Sequence, residues 1–294
     1  MEKIKFIVDS PSDIPDKELQ RYNIDMTYVP ITIDGEGYFE RKSFSIQEFH
    51  KLLPDVKELP KTSRVPPYEF LECYTRAYHE GYNVIICVTI SAKGSAINAS
   101  AHEARQAFFE ENPDAADKIQ IHVVDSATYS VGYGYPVIQA AKMAQSGKSS
   151  PEILEYLQDW FSSIDIYLGC YSLEYPKRSG RITHAAAFVG DMLGIRPIIL
   201  IRDGITSTLD KVRGDKNLIP RIFEHYKKNR VSRSAPVLIA HGSNKEGGQE
   251  LRALIEADLE RTIPMYPAGA AILINSGPDV VGLLCHSKKR ERKD

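Results

Sequence analysis

The sequence predicts an α/β protein in two lobes, with mainly parallel sheets flanked by helices. Three observations carry that reading. The chain has 294 residues, more than a single hydrophobic core usually serves. Hydrophobic residues at 43% and charged residues at 26% are ordinary globular values, which excludes collagen-like, coiled-coil and disordered classes. Short runs rich in branched residues, at Ile4 to Val8, Val84 to Ile90 and Ile119 to Val124, are each followed by small polar residues and then a helical pattern. That alternation is a βα rhythm.

The elements follow in order. Ser45 with Glu48 forms a capping box ahead of Phe49, Leu52 and Leu53, and Pro66-Pro67 opens a helix carrying Phe70, Leu71 and Tyr74. Gly94 to Phe109 and Pro151 to Phe161 read as further helices. In the second half, strands are predicted at Ile166 to Tyr171, Ile198 to Ile201, Val237 to Ala240 and Ala271 to Ile274, with helices near Ile219 to Lys228 and Glu246 to Leu259. The polar stretch Gly147 to Pro151 precedes the inter-lobe helix. The lobes are therefore expected at residues 1–162 and 163–294, and no solenoid period or low-complexity tract appears.

Composition also narrows function. Lys+Arg 37 against Asp+Glu 39 leaves a formal net charge of -2, which argues against a duplex-DNA binder and gives no nucleic-acid partner. The basic C-terminus, with Lys288, Lys289, Arg290, Arg292 and Lys293, reads as a solvated tail. Cys73, Cys87, Cys170 and Cys285 lie far apart and the eight histidines lack ligand spacing, so reduced buried thiols are expected, with no metal and no cofactor. The apolar patch at Ile4 to Val8 is too short for a signal sequence. The uncharged run Thr262 to Pro278 is interrupted by prolines and glycines, so it reads as a buried strand with turns and no membrane span. A cytoplasmic location follows as an expectation.

Hydroxyls gather where strands end. Asp9-Ser10, Ser91 and Asp125-Ser126 each follow a predicted strand, and Thr62-Ser63 stands in the loop before Pro66. A helix opening Gly94-Ser95-Ala96, with no acid before Glu103, offers free amides and partial positive charge to a carboxylate or phosphate oxygen. Tyr129, Tyr133 and Tyr135, interleaved with Gly132 and Gly134, either line an apolar cavity or anchor a helix against the sheet. Phe188, Met192 and Leu193 are similar candidates. Lys177, Arg178 and Arg181 form either a cationic rim or an exposed charged turn.

These segments together resemble the DegV family of bacterial fatty-acid-binding proteins from end to end. Asp9-Ser10-Pro11-Ser12-Asp13-Ile14-Pro15 resembles the family's opening D-S-x-S-D-[LI]-P, and Lys61-Thr62-Ser63-Arg64 its T-S-Q-P loop, with Arg64 in the Gln position. Ile90 to Ala96 is similar to I-S-S-x-L-S-G, and Asp125-Ser126 with Gly132 and Gly134 to D-S-x-x-x-S-x-G-x-G. Leu173-Glu174-Tyr175 before Ser179-Gly180-Arg181-Ile182, then Leu193 to Ile198, Asp203-Gly204, Lys211 to Gly214 and His241-Gly242 keep the family's order.

The resemblance implies a long-chain, palmitate-like fatty acid in a tunnel between the lobes. The first lobe would carry the head-group site and the second would cover the acyl chain. Thr62 and Ser95 would hold the carboxylate, Ser91 would be a weaker third contact, and Arg181 would stand near the head group. Asn275 occupies the position of a family histidine, and Asp279 replaces a glycine there. The family also implies a carrier in lipid metabolism that presents its ligand to a fatty acid kinase, a service the histidine's loss separates from binding itself. Two other classes stay open on the residues alone. An acyl or phosphoryl transfer enzyme would use a Ser hydroxyl in the same cleft with Asp9, Asp125 or His241 assisting, although no G-x-S-x-G elbow or phosphate loop is present. An interaction module would have its inter-lobe space filled.

Overall fold

A computed structural model of the protein describes residues 2–181, 194–243 and 245–288. The readings that involve Ile182, His184, Phe188, Met192, Leu193 and the tail from Lys289 onward lie outside the described residues.

Branched residues at Ile4, Ile7 and Val8 make β1 (Ile4–Asp9) a natural central strand, buried on both faces by helices. It pairs in parallel with β2 (Asp25–Thr27) on one side and β6 (Val84–Thr89) on the other, and β6 pairs in parallel with β7 (Gln120–Asp125). A small antiparallel sheet places β3 (Pro30–Ile33) between β4 (Glu36–Phe39) and β5 (Lys61–Thr62). The helices of this half are α1 (Asp16–Tyr22), α2 (Ile46–Leu52), α3 (Pro67–His79), α4 (Ile97–Glu111), α5 (Val131–Gln145) and α6 (Ser150–Phe161). The Ser45–Glu48 capping box is formed as expected, and Ser149 with Glu152 makes a second one at α6.

Strand β8 (Ile164–Cys170) begins the second sheet, whose order is β10 (Ile205–Arg213), β9 (Ile195–Arg202), β8, β13 (Val280–His286), β11 (Val237–His241) and β12 (Met265–Pro267). Between these strands lie α7 (Glu174–Ser179), α8 (Leu218–Asn229), α9 (Glu246–Leu259) and α10 (Ala270–Ser276). The lobes are α/β as expected, but strand direction differs in this one: β11 and β12 run parallel while the other pairings are antiparallel. The cause is partly local. Asp203 and Gly204 both adopt positive φ, the geometry of a two-residue turn that folds β10 directly back on β9.

The second sheet has two different faces because successive side chains alternate. Ile166 and Leu168 of β8, Ile199 and Ile201 of β9, Leu238 and Ala240 of β11 and Val280 and Leu284 of β13 join the core of the first sheet. Tyr167, Ile198, Val237, Ile239, Val281 and Leu283 point the other way, into a separate core with α8 and α9. One face is thus turned toward the other lobe.

One predicted strand is corrected. Ala271 to Ile274 lies in the seven-residue helix α10, ended by Gly277 at φ +98. A short apolar run without periodicity does not distinguish a strand from a buried helix. Here the first lobe decides, since its carboxylates accept the amides that open a helix at Gly269 and Ala271.

Candidate functional site

A cavity of about 270 Å³ opens between the two sheets. Its deep walls are apolar: Ile90 and Ile97 from the first lobe, Ile166, Leu168, Ala240 and Leu284 from the inner face of the second sheet, and Ala271 of α10. Its polar lining runs from the exposed Ser63, Arg64 and Arg181 to the buried Ser130, Thr206 and Ser276. The site therefore combines largely apolar walls with both lining cations, Arg64 and Arg181, at exposed positions.

Four of the five residues singled out in the sequence line this one cavity: Thr62, Ser95, Arg181 and Asn275. Thr62 is placed by pairing of β5 with β3, where it stands opposite Ile31. Ser95 sits in the turn before α4, and the Gly94 and Ser95 amides donate to the Ser91 carbonyl at 3.0 and 3.1 Å. The Ser95 Oγ accepts from the Ile97 amide at 3.3 Å, which leaves its proton available to a ligand oxygen. The first turn of α4 carries no acidic residue.

Ser91 is placed differently. It is fully buried, it is absent from the cavity lining, and its Oγ accepts from the Lys93 amide at 3.3 Å. At the end of a strand its hydroxyl shapes the turn that carries Ser95. Arg181 follows Gly180, which takes the left-handed conformation at the end of α7. The Arg181 amide donates to Ser179 Oγ and its carbonyl accepts from Thr206 Oγ1, both at 3.3 Å, so its backbone is pinned on two sides. The Asn275 amide nitrogen donates to the Ala271 carbonyl at 2.7 Å, and its backbone carbonyl accepts from Ser179 Oγ at 3.1 Å.

Of the remaining candidates, Tyr129 lines the cavity, whereas Tyr133 is buried and donates to Asp9, and Tyr135 packs beside Trp160. Arg178 pairs with exposed Glu174 on its own helix. Lining residues that sequence reasoning did not select include Thr206 and Gly282, because strand alternation assigns a residue to a face only once the neighbouring lobe is known. Arg64 is the exception: standing two residues beyond Thr62, it reaches the mouth and pairs with Glu103 at 3.2 Å.

The groups proposed to assist a nucleophile are engaged elsewhere. Asp9 accepts from the Ile90 amide and from Tyr133, Asp125 from the Ala92 and Ala127 amides, and His241 Nδ1 donates to the Gly242 carbonyl at 2.7 Å. Three fully buried carboxyls, Asp9, Asp13 and Glu40, lie outside the cavity lining, and the last two join the lobes. Asp13 accepts from the Gly269 amide at 2.9 Å and from Ser130; Glu40 accepts from the Ala271 amide at 2.8 Å and from Ser10 at 2.5 Å. Desolvation pushes all three toward the protonated form, Asp9 up to about 7 and Asp13 to about 8, and Glu40's charge raises Asp13 further. Among the described residues, no group of three or more His, Cys, Asp or Glu could hold a metal ion, and no helix is long and apolar enough to cross a membrane.

Comparison with known proteins agrees with this architecture. A DegV domain-containing protein of Caldanaerobacter subterraneus subsp. tengcongensis is 32% identical over 98% of this chain and all of its own length. A protein of Thermotoga maritima named fatty acid-binding protein is 28% identical over 99% of this chain and 100% of its own. The crystal structure of a DegV lipid binding protein from Thermotoga maritima superposes with a TM-score of 0.82 at 26% identity, covering 99% of this chain and 100% of that one. A DegV family protein from Thermus thermophilus, described as fatty acid binding, has a TM-score of 0.84 over 97% and 99% of the two chains; its 23% identity speaks for the fold alone. The model of the family described as "Uncharacterised protein, DegV family" matches residues 3–288, and the chain belongs to the DegV family.

Proposed function

We propose that this protein binds a long-chain fatty acid in the inter-lobe cavity, its carboxylate at Thr62 and Ser95 with Arg181 and Asn275 beside it, and carries it for lipid metabolism. The lobes divide between residues 162 and 163, where α6 ends and β8 enters the second sheet. The observation that carries the reading is a largely apolar lining that also holds hydroxyls and, at exposed positions, the guanidiniums of Arg64 and Arg181. The relatives named for fatty acid and lipid binding support it.

The energetics divide the work between tail and head. Each buried methylene contributes about 0.8 kcal/mol, so a long acyl chain supplies on the order of 10 kcal/mol before ordering costs. A carboxylate stripped of water without partners would cost several kcal/mol, which hydroxyl donors offset. Binding by this division needs no bond to be broken, and the hydroxyls act as ligands for the carboxylate. Four buried free cysteines fit a reducing cytoplasm.

Organic extraction of the purified protein followed by mass spectrometry tests the reading. A saturated or monounsaturated acid near C16 to C18 at near-stoichiometric amount is expected. A protein that carries no lipid and takes none up from added palmitate would overturn it. Service to a fatty acid kinase is the finer part of the proposal, supported by Arg64 and Arg181 at the open mouth; phosphorylation of bound palmitate by a kinase of this type, lost in Arg181→Ala, is its separate test.

A further inference from the structure

Among the described residues, the cavity lining carries two cations, Arg64 from the first lobe and Arg181 from the second, and no carboxylate. Arg64 is the one that shares a segment with Thr62, two residues on. The backbone of that segment is fixed on both sides of it. The Ser63 amide donates to the Pro30 carbonyl at 2.9 Å, Val65 is fully buried, and Pro66 leads into α3. What can turn is the Arg64 side chain, which is 46% exposed.

Its partner in this structure is Glu103. Nη1 of Arg64 donates to Glu103 Oε1 at 3.2 Å, and Glu103 stands on α4, the helix that Ser95 precedes, outside the cavity lining. Both side chains face water, Glu103 at 51% exposure, so the pair is screened and contributes little. A ligand carboxylate against the apolar walls offers the guanidinium more. It can accept two parallel bonds from the guanidinium fork, and solvent screens that attraction less than it screens an exposed pair. An uncharged head group offers neither gain.

We propose that Arg64 is a specificity-determining cation of this cavity and Glu103 its resting partner. On binding, the guanidinium leaves Glu103 for the anion of the ligand, so the cavity selects ionised acids over uncharged chains of the same length. This exchange of partners rests on the fatty acid reading above and adds to it the means by which charge is chosen.

Displacement of the fluorescent C18 acid cis-parinaric acid from the delipidated full chain, by palmitate and by hexadecan-1-ol, gives two affinities whose ratio is the readout. Arg64→Gln is expected to lower the preference for palmitate about three- to tenfold, the range for one charge-assisted contact at a partly exposed site. Glu103→Gln, which releases the guanidinium, should raise that preference about two- to fivefold. The double variant should match Arg64→Gln alone, because Glu103 acts through Arg64. An unmoved ratio in Arg64→Gln would overturn the proposal. So would a gain from Glu103→Gln that persists in the Arg64→Gln background, which would mark plain repulsion of the acid by Glu103. A wild-type chain that takes up neither the probe nor palmitate sinks the fatty acid reading and this exchange together, whereas uptake with an unmoved ratio sinks the exchange alone.

Discussion

Asp13, in the first turn after β1, accepts a hydrogen bond from the amide of Gly269 across a sequence distance of 256 residues. Glu40 does the same for Ala271. These carboxyls sit at the start of α10, where free amides and the helix dipole favour an acceptor, and the far side of that helix lines the cavity. The joint between the lobes thereby reaches the cavity wall through α10.

Losing half of that joint should be costly. Glu40→Ala leaves the Ala271 amide and the Ser10 hydroxyl buried without their shared acceptor, so a loss of about 2–4 kcal/mol is expected. Glu40→Gln, which retains an acceptor oxygen, should lose clearly less. Urea denaturation of both variants against the wild type measures the difference, and equal losses would contradict a role through hydrogen bonding.

The same carboxyls set a pH dependence. Asp9 and Asp13 have folded pKa values of about 7 and about 8, above the unfolded value of 3.8, so between those limits the folded state holds more protons and stability falls as pH rises. Burial pushes His50, His241 and His286 below 6.5, the last to about 4, which makes stability rise with pH up to about 6.5. The two trends oppose below 6.5, and only the acids act above it. Thermal midpoints should therefore decline from pH 6.5 toward 8.5, and Asp13→Asn, which keeps the acceptor for Gly269, should flatten the decline. A midpoint that climbs steadily from pH 6.5 to 8.5 would refute this assignment.

Ser95→Ala removes one hydroxyl from the proposed carboxylate site. Fatty acid affinity should weaken by about 1–3 kcal/mol, with the fold intact because the Ser95 backbone still donates to Ser91. Isothermal titration with palmitate is the measurement, and undiminished affinity would place the head group elsewhere.

Gly282 offers a test of the acyl end. A Cβ there would lie 3.6 Å from the Cβ of Ala240, ordinary contact, so Gly282→Ala should fold normally while taking space from the cavity wall. The affinity for a long acid should fall relative to one two carbons shorter by about 0.8 kcal/mol, the value of one methylene. Competition between the two acids for one sample reads that ratio directly.

Legibility from sequence varied with the range of the forces involved. The capping box at Ser45, the βα rhythm of Ile4 to Val124 and the helix at Glu246 to Leu259 are local patterns, and each appears in the structure where the sequence places it. Ser91 and Ser95 are indistinguishable as letters, four residues apart in one loop, yet one hydroxyl turns inward to close a turn and the other lines the cavity. The antiparallel course of the second sheet and the helical state of Ala270–Ser276 were not readable in the same way.

What the sequence determined alone was the kind of architecture, the turn chemistry and a set of hydroxyls and cations at strand ends, because propensity, capping and alternation act within a few residues. Which of those groups share one cavity was decided only in three dimensions. The second sheet has an inner face only because the first lobe lies opposite it, and Ala270–Ser276 is a helix whose opening amides meet Asp13 and Glu40, partners more than two hundred residues away. Contacts at that separation depend on how two buried surfaces dock, which no local window of residues encodes.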